Sequence, residues 1–115
     1  MRRRSFLLYV DLDIRPTGLM HSEASAMGHI QKILREFFRR YDPTIEVAPA
    51  GTQWPQHERS RKAYLIQVNL DPSPGVMYTE GSAVTMIDRV MGSTITSSCP
   101  QVYLAPDELQ PKEGK

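Results

Sequence analysis

The stretch Val10–Ala26, VDLDIRPTGLMHSEASA, decides the fold because the chain carries it twice. The second copy is Val68–Ala83, VNLDPSPGVMYTEGSA. Val10, Leu12, Asp13 and Pro16 match Val68, Leu70, Asp71 and Pro74 at an offset of 58. Thr17 is one extra residue. After it Gly18, Met20, Glu23, Ser25 and Ala26 match Gly75, Met77, Glu80, Ser82 and Ala83 at an offset of 57. That offset persists at Ile30/Ile87, Pro43/Pro100, Ala48/Ala105 and Pro49/Pro106. One gap with this many identities marks a tandem duplication of one supersecondary unit. The units span about residues 6–50 and 63–107, with a connector at 51–62 and a polar tail at 108–115.

Each unit reads strand, helix, strand. In Phe6–Asp13 the residues Phe6, Leu8, Val10 and Leu12 alternate with Leu7, Tyr9, Asp11 and Asp13, a period of two that argues a strand. Pro16 and Gly18 turn the chain. Ser22 suits a helix N-cap and Glu23 the first turn. Ala26, Met27, Ile30, Ile33, Leu34, Phe37, Phe38 and Tyr41 then recur at helical spacing, predicting an amphipathic helix over 22–41. Asp42-Pro43 stops it, and Thr44–Ala48 is a short strand with Ile45 and Val47 inward. The second unit repeats this. Tyr64, Ile66, Val68 and Leu70 point inward from its first strand. Thr79 caps a helix with the stripe Ala83, Val84, Ile87, Val90 and Met91, and Val102 and Leu104 point inward from the last strand. The tail from Asp107 to Lys115 is polar and is expected to be disordered.

Two strand–helix–strand units in one chain of 115 residues predict a single α+β domain. The fold is the ferredoxin-like βαββαβ sandwich, with both helices on one face of a four-stranded antiparallel sheet. The expected strand order is 4-1-3-2, which puts the first strands of the two copies side by side at the centre.

Composition narrows the function classes. Forty per cent apolar and 23% charged residues are ordinary for a globular domain, and a net charge of +1 gives no global pull toward nucleic acid. Cys99 is the only cysteine, which removes intrachain disulfides and cysteine-based zinc sites and fits a reducing cytoplasm. Arg2–Arg4 before Phe6–Val10 has the charge of a signal peptide, but the apolar run is short and interrupted by Asp11 and Asp13. Those arginines are read as a solvated, frayed terminus. No stretch has the apolar length of a membrane span, so no membrane partner is expected.

Two surfaces are candidates for function. The sheet face opposite the helices presents Leu7, Tyr9, Leu65 and Tyr103, an exposed apolar patch of the kind that marks an interface. Homodimerisation through that face or an outer strand fits the same pattern. Base stacking on Tyr9 would make the face an RNA site, but Tyr64 points the other way and aspartates on the face repel phosphate. Asp11, Asp13 and Asp71 are the alternative metal ligands, on the pattern of strand carboxylates in nucleotidyl-transfer enzymes. No acidic pair follows on the connector, and Asp13 and Asp71 precede turns, where Asp bonds local backbone. The connector carries Trp54, His57, Arg59 and Arg61, residue types enriched at binding hot spots. No nucleophile–base pair stands out, and no cofactor is expected.

The duplicated DLD–P–G–M–S/T–E–S–A pattern resembles small proteins of mycobacteriophages and related actinobacteriophages. So do the closing segments Pro43–Pro49 and Pro100–Pro106, with a proline, alternating apolar residues and Ala-Pro. The resemblance covers most of the chain outside connector and tail. It implies no enzymatic activity and carries over no functional residues. It implies a phage-encoded protein that works in the cytoplasm of the bacterial host by binding and modulating a host protein.

Overall fold

The computed structural model describes residues 2–12, 18–49, 61–72 and 74–111. The elements run β1 (Arg2–Asp11), α1 (Glu23–Phe38), β2 (Thr44–Val47), β3 (Arg61–Leu70), α2 (Glu80–Thr94) and β4 (Gln101–Leu104). The four strands form one antiparallel sheet in the order β2-β3-β1-β4, which is the ferredoxin-like arrangement. β1 and β3 pair along their whole length, from Arg2 opposite Leu70 to Asp11 opposite Arg61.

The duplication is visible in the geometry. Ser22 and Thr79 are both N-caps, and each closes a capping box with the serine three residues on, Ser25 or Ser82. Each helix is followed by a single 3₁₀ turn, 39–41 or 96–98. The residue after each turn is left-handed, Asp42 at φ 51° and Cys99 at φ 49°. Both helices lay their apolar stripes on one sheet face. Phe6, Leu8, Val10, Tyr64, Ile66, Val68 and Leu70 from the sheet meet Ile30, Leu34, Ile87 and Met91 from the helices. Burying side chains of this size contributes roughly 1.5–3 kcal/mol each, so this layer holds most of the fold's stability.

Several expectations need correction. Arg2–Arg4 are part of β1 rather than frayed, and β3 begins at Arg61 rather than Ala63. The cause is a pair of symmetric arginine clamps. Arg3 donates to the Gln67 carbonyl, Asn69 Oδ1 and Thr44 Oγ1, and its guanidinium lies 3.8 Å from Asp42. Arg61, its counterpart at offset 58, donates to the carbonyls of Tyr9 and Cys99 and lies 3.6 Å from Asp11. Each guanidinium thus ties the start of one central strand to the end of the other. Arg4 and Lys62 repeat the device with Glu80 and Glu23, joining each strand to the first turn of the other unit's helix.

The α-helix of the first unit ends at Phe38, with Tyr41 in the 3₁₀ turn, and Phe37 is half exposed rather than in the apolar stripe. Val47 and Leu104 lie on the helix side, opposite Tyr64 and Phe6, but at the outer margins of the sheet, where both remain exposed. The tail is ordered further than composition suggests. Asp107–Leu109 form a 3₁₀ turn, and Gln110 is hydrogen-bonded into the sheet.

Candidate functional site

The sheet face opposite the helices is closed, which corrects the expectation of an exposed apolar patch. Leu7, Tyr9 and Leu65 are buried with Ala105 in a second small core, and Ala48, Ala63, Tyr103 and Leu109 pack against it. Tyr9 and Tyr103 meet edge-on, with ring centroids 5.9 Å apart. Burial, and next the neighbouring Tyr103, pushes the Tyr9 hydroxyl's pKa above its ordinary value. Buried rings of this kind are not open to base stacking.

The C-terminal segment joins this layer through an inserted side-chain amide. Ala105 donates to the Ser5 carbonyl at 3.1 Å, as a ladder residue would. The return bond is replaced by Gln110. Its Oε1 accepts from the Ser5 N–H at 2.7 Å, and its Nε2 donates to the carbonyls of Ser5 and Ala105 at 2.9 and 2.8 Å. Ser5 itself is fully buried.

The aspartates do not converge. β1 and β3 are antiparallel, so Asp11 sits at the end marked by Arg61, and Asp71 follows Leu70 at the opposite end, beside Arg2. Nine residue steps separate the two ends, about 30 Å at strand rise, so one metal ion cannot bridge Asp11 and Asp71. Asp13 lies outside the described residues. Among the described residues no three His, Cys, Asp or Glu side chains come together as metal ligands.

Arg61 is turned inward by its clamp, with its side chain 12% exposed. Trp54, His57 and Arg59 lie outside the described residues. The outer strands offer little room for a further strand, because each has four residues between prolines, Pro43 and Pro49 or Pro100 and Pro106. His21 Nδ1 lies 2.8 Å from the Gly18 carbonyl and 3.3 Å from Ser25 Oγ. A carbonyl only accepts, so Nδ1 carries the proton and cannot take one from Ser25. Cys99 is an exposed thiol at its turn.

One surface does combine rigidity with exposed binding chemistry, and sequence reading treated its key residue only as a turn or metal aspartate. The β3–α2 turn is closed at its base by Asp71, whose N–H donates to the Met77 carbonyl at 2.9 Å. The Met77 N–H in turn donates to Asp71 Oδ2 at 3.0 Å. Arg40 donates to Asp71 Oδ1 at 2.8 Å, and the Tyr41 hydroxyl lies 3.4 Å from Oδ2. The guanidinium of Arg40 also stacks over the Tyr41 ring at 4.7 Å, and Tyr41, then Asp71, raise the Arg40 pKa. Gly75 lies directly against the carboxylate, and a Cβ there would come within 2.6 Å of Oδ2. The turn therefore projects Val76 and Tyr78, 55% and 44% exposed. Clefts of about 560 and 400 Å³ flank it, one beside Arg2 and Glu80, the other beside Arg40 and Tyr41. No helix of the described residues is long and apolar enough to cross a membrane.

Fold and surfaces together describe a small ferredoxin-like sandwich with a duplicated interior. No protein-family model matches the chain, and no curated protein matches it. It is similar in structure to an amidase of the hydantoinase/carbamoylase family from Burkholderia phymatum, with a TM-score of 0.50 and 11% identity. The match covers 96% of this chain and 29% of the amidase, so the chain spans less than a third of that enzyme's length. At that identity the likeness is one of fold.

Proposed function

We propose that the chain is a non-enzymatic interaction protein that binds and modulates a bacterial host protein through the β3–α2 turn. The observation that carries this reading is the braced turn itself. Asp71 fixes the base, Val76 and Tyr78 project from it, and Arg2 and Arg40 flank it. Tyrosine and arginine around a preorganised apolar tip are what binding hot spots are made of. The resemblance to actinobacteriophage proteins supplies the setting, a phage protein in the cytoplasm of its host. The connector residues Trp54, His57 and Arg59 extend the same reading to a second contact.

The test compares the wild-type chain with a Val76→Asp/Tyr78→Ala variant as tagged baits in mycobacterial lysate, with and without nuclease. Both residues are substantially exposed, so the variant should keep its melting temperature. The expected result is one protein recovered near stoichiometrically by the wild type, resistant to nuclease and lost with the variant. Equal recovery by the variant would place binding elsewhere. Recovery abolished by nuclease would replace the reading with nucleic-acid binding.

A further inference from the structure

The contacts of Gln110 are unusual for a surface glutamine. Its carboxamide stands between the Ser5 N–H and the Ala105 carbonyl, acting as an extra peptide group within the β1–β4 ladder. All three of its bonds go to main chain, so the site recognises a primary amide rather than any particular neighbour of it. The segment that delivers the amide is lightly held. Leu109 is its apolar anchor, Asp107 and Glu108 are exposed, and Pro106 cannot continue the ladder because it has no N–H. Beneath lies an apolar floor of Leu7, Tyr9 and Leu65. A segment with few buried contacts over a preformed floor belongs to the part of a structure that opens first.

The sequence repeats the same feature. Gln53 stands four residues after Pro49, as Gln110 stands four after Pro106, at the shared offset of 57. The acceptor is repeated too, since Ala48 donates to the Ala63 carbonyl at 3.1 Å just as Ala105 does to Ser5. Gln53 lies outside the described residues.

We propose that the sheet face opposite the helices is a peptide-binding site, occupied in cis by Leu109–Gln110. Its ligand class is a protein segment that presents an apolar residue followed by glutamine at the end of a single turn, as Asp107–Gln110 do. The apolar side chain takes the place of Leu109 against the Leu7, Tyr9, Leu65 and Ala105 cluster, and the carboxamide takes the Ser5 and Ala105 bonds. This site is separate from the β3–α2 turn, and either can fail without the other.

The experiment follows amide hydrogen exchange at Ser5 in the full-length chain, with the synthetic peptide Ala105–Pro111, APDELQP, as the probe. In a Leu109→Ser/Gln110→Ala variant, exchange at Ser5 should rise about tenfold or more, while amides in Leu65–Leu70 keep their rates. Adding the peptide at millimolar concentration should restore protection, and the same peptide with its glutamine replaced by alanine should not. Unchanged exchange in the variant would overturn the proposal. So would a peptide that restores nothing, or an alanine peptide that works equally well. Should the double variant fail to fold, Gln110→Ala alone removes no apolar contact and carries the same comparison.

Discussion

Replacing Asp71 tests whether the β3–α2 turn is braced as described. In Asp71→Ala the Met77 N–H loses its charged acceptor, which costs about 1.5–3 kcal/mol. The Arg40 partner adds little, because its own side chain is 68% exposed and solvent screens the pair. The expected loss is therefore about 2–3 kcal/mol, or roughly 10 °C in melting temperature for a domain of this size. Asp71→Asn keeps an acceptor for Met77 and should cost about 1 kcal/mol. Gly75→Ala approaches the same carboxylate from the other side. Gly75 is not left-handed, so its substitution is opposed by the clash with Oδ2 at 2.6 Å and not by backbone strain. That clash should cost about 1–3 kcal/mol. It disappears when the carboxylate is gone, so the double variant should be more stable than the two single losses predict, by about 1 kcal/mol or more. Urea denaturation with unchanged m-values reads the wild type and all four variants. An Asp71→Ala variant within 0.5 kcal/mol of wild type, or strict additivity with Gly75→Ala, would refute the bracing argument.

Two further predictions concern the interior. Burial, and then Glu23, raise the Tyr64 pKa to about 12, and its hydroxyl donates to the Glu23 carbonyl at 2.9 Å. A folded-state value above the ordinary 10 means that the folded chain holds this proton more tightly. The resulting stability is complete below pH 10 and is lost as pH rises through about 12, an amount of about 2–3 kcal/mol. Denaturation between pH 9 and 12 should show this slope in the wild type and a flatter one in Tyr64→Phe, and equal slopes would contradict it. The arginine clamps should rank by burial. Arg61→Ala, removing a guanidinium that serves two carbonyls at 12% exposure, should cost about 1–3 kcal/mol. Arg3→Ala, at 25% exposure, should cost less, and thermal melts showing the reverse order would mean that the symmetry is geometric only.

The fold was legible because a duplicated strand–helix–strand unit leaves few ways to bury two apolar stripes. Strand order, both N-caps and the inward set of β3 follow from periodicity and from the shared offset. The same duplication carried information about the aspartates. Antiparallel pairing of the two equivalent central strands puts Asp11, at the end of the first, and Asp71, just after the second, at opposite ends of the sheet, so the predicted strand order already separated these two carboxylates. The closed sheet face was harder to read. Alternation identifies Leu7, Tyr9 and Leu65 as apolar but not what covers them. The described cover includes one alanine, one leucine and an inserted amide, none of which has a periodic signature. The one available signal was the equal spacing of Gln53 and Gln110 from their prolines. Arg3 and Arg61 were similarly hidden, because clamping depends on carbonyl positions that only the assembled sheet supplies.

In a duplicated chain, the differences between the copies are more informative about function than the similarities. Features present in both halves, such as the capping boxes, the left-handed residues and the arginine clamps, are needed to build the sandwich. Arg40 and Tyr41 have no such excuse, because their counterparts are Ser97 and Ser98. Those serines form a 3₁₀ turn of the same length and shape, so the fold does not require an arginine stacked on a tyrosine there. Tyr78 likewise stands where the other copy has His21, a ring engaged with its own Gly18 carbonyl while Tyr78 projects beside the Arg2 cleft. Phe37, exposed on α1 three residues before Arg40, corresponds to Thr94. Tyr41 packs into the core, but Phe37, Arg40 and Tyr78 stay exposed, so these three have accumulated beyond the needs of packing. Arg40, Tyr41 and Tyr78 lie around the Asp71 turn, which makes that end of the domain the first place to look for a partner.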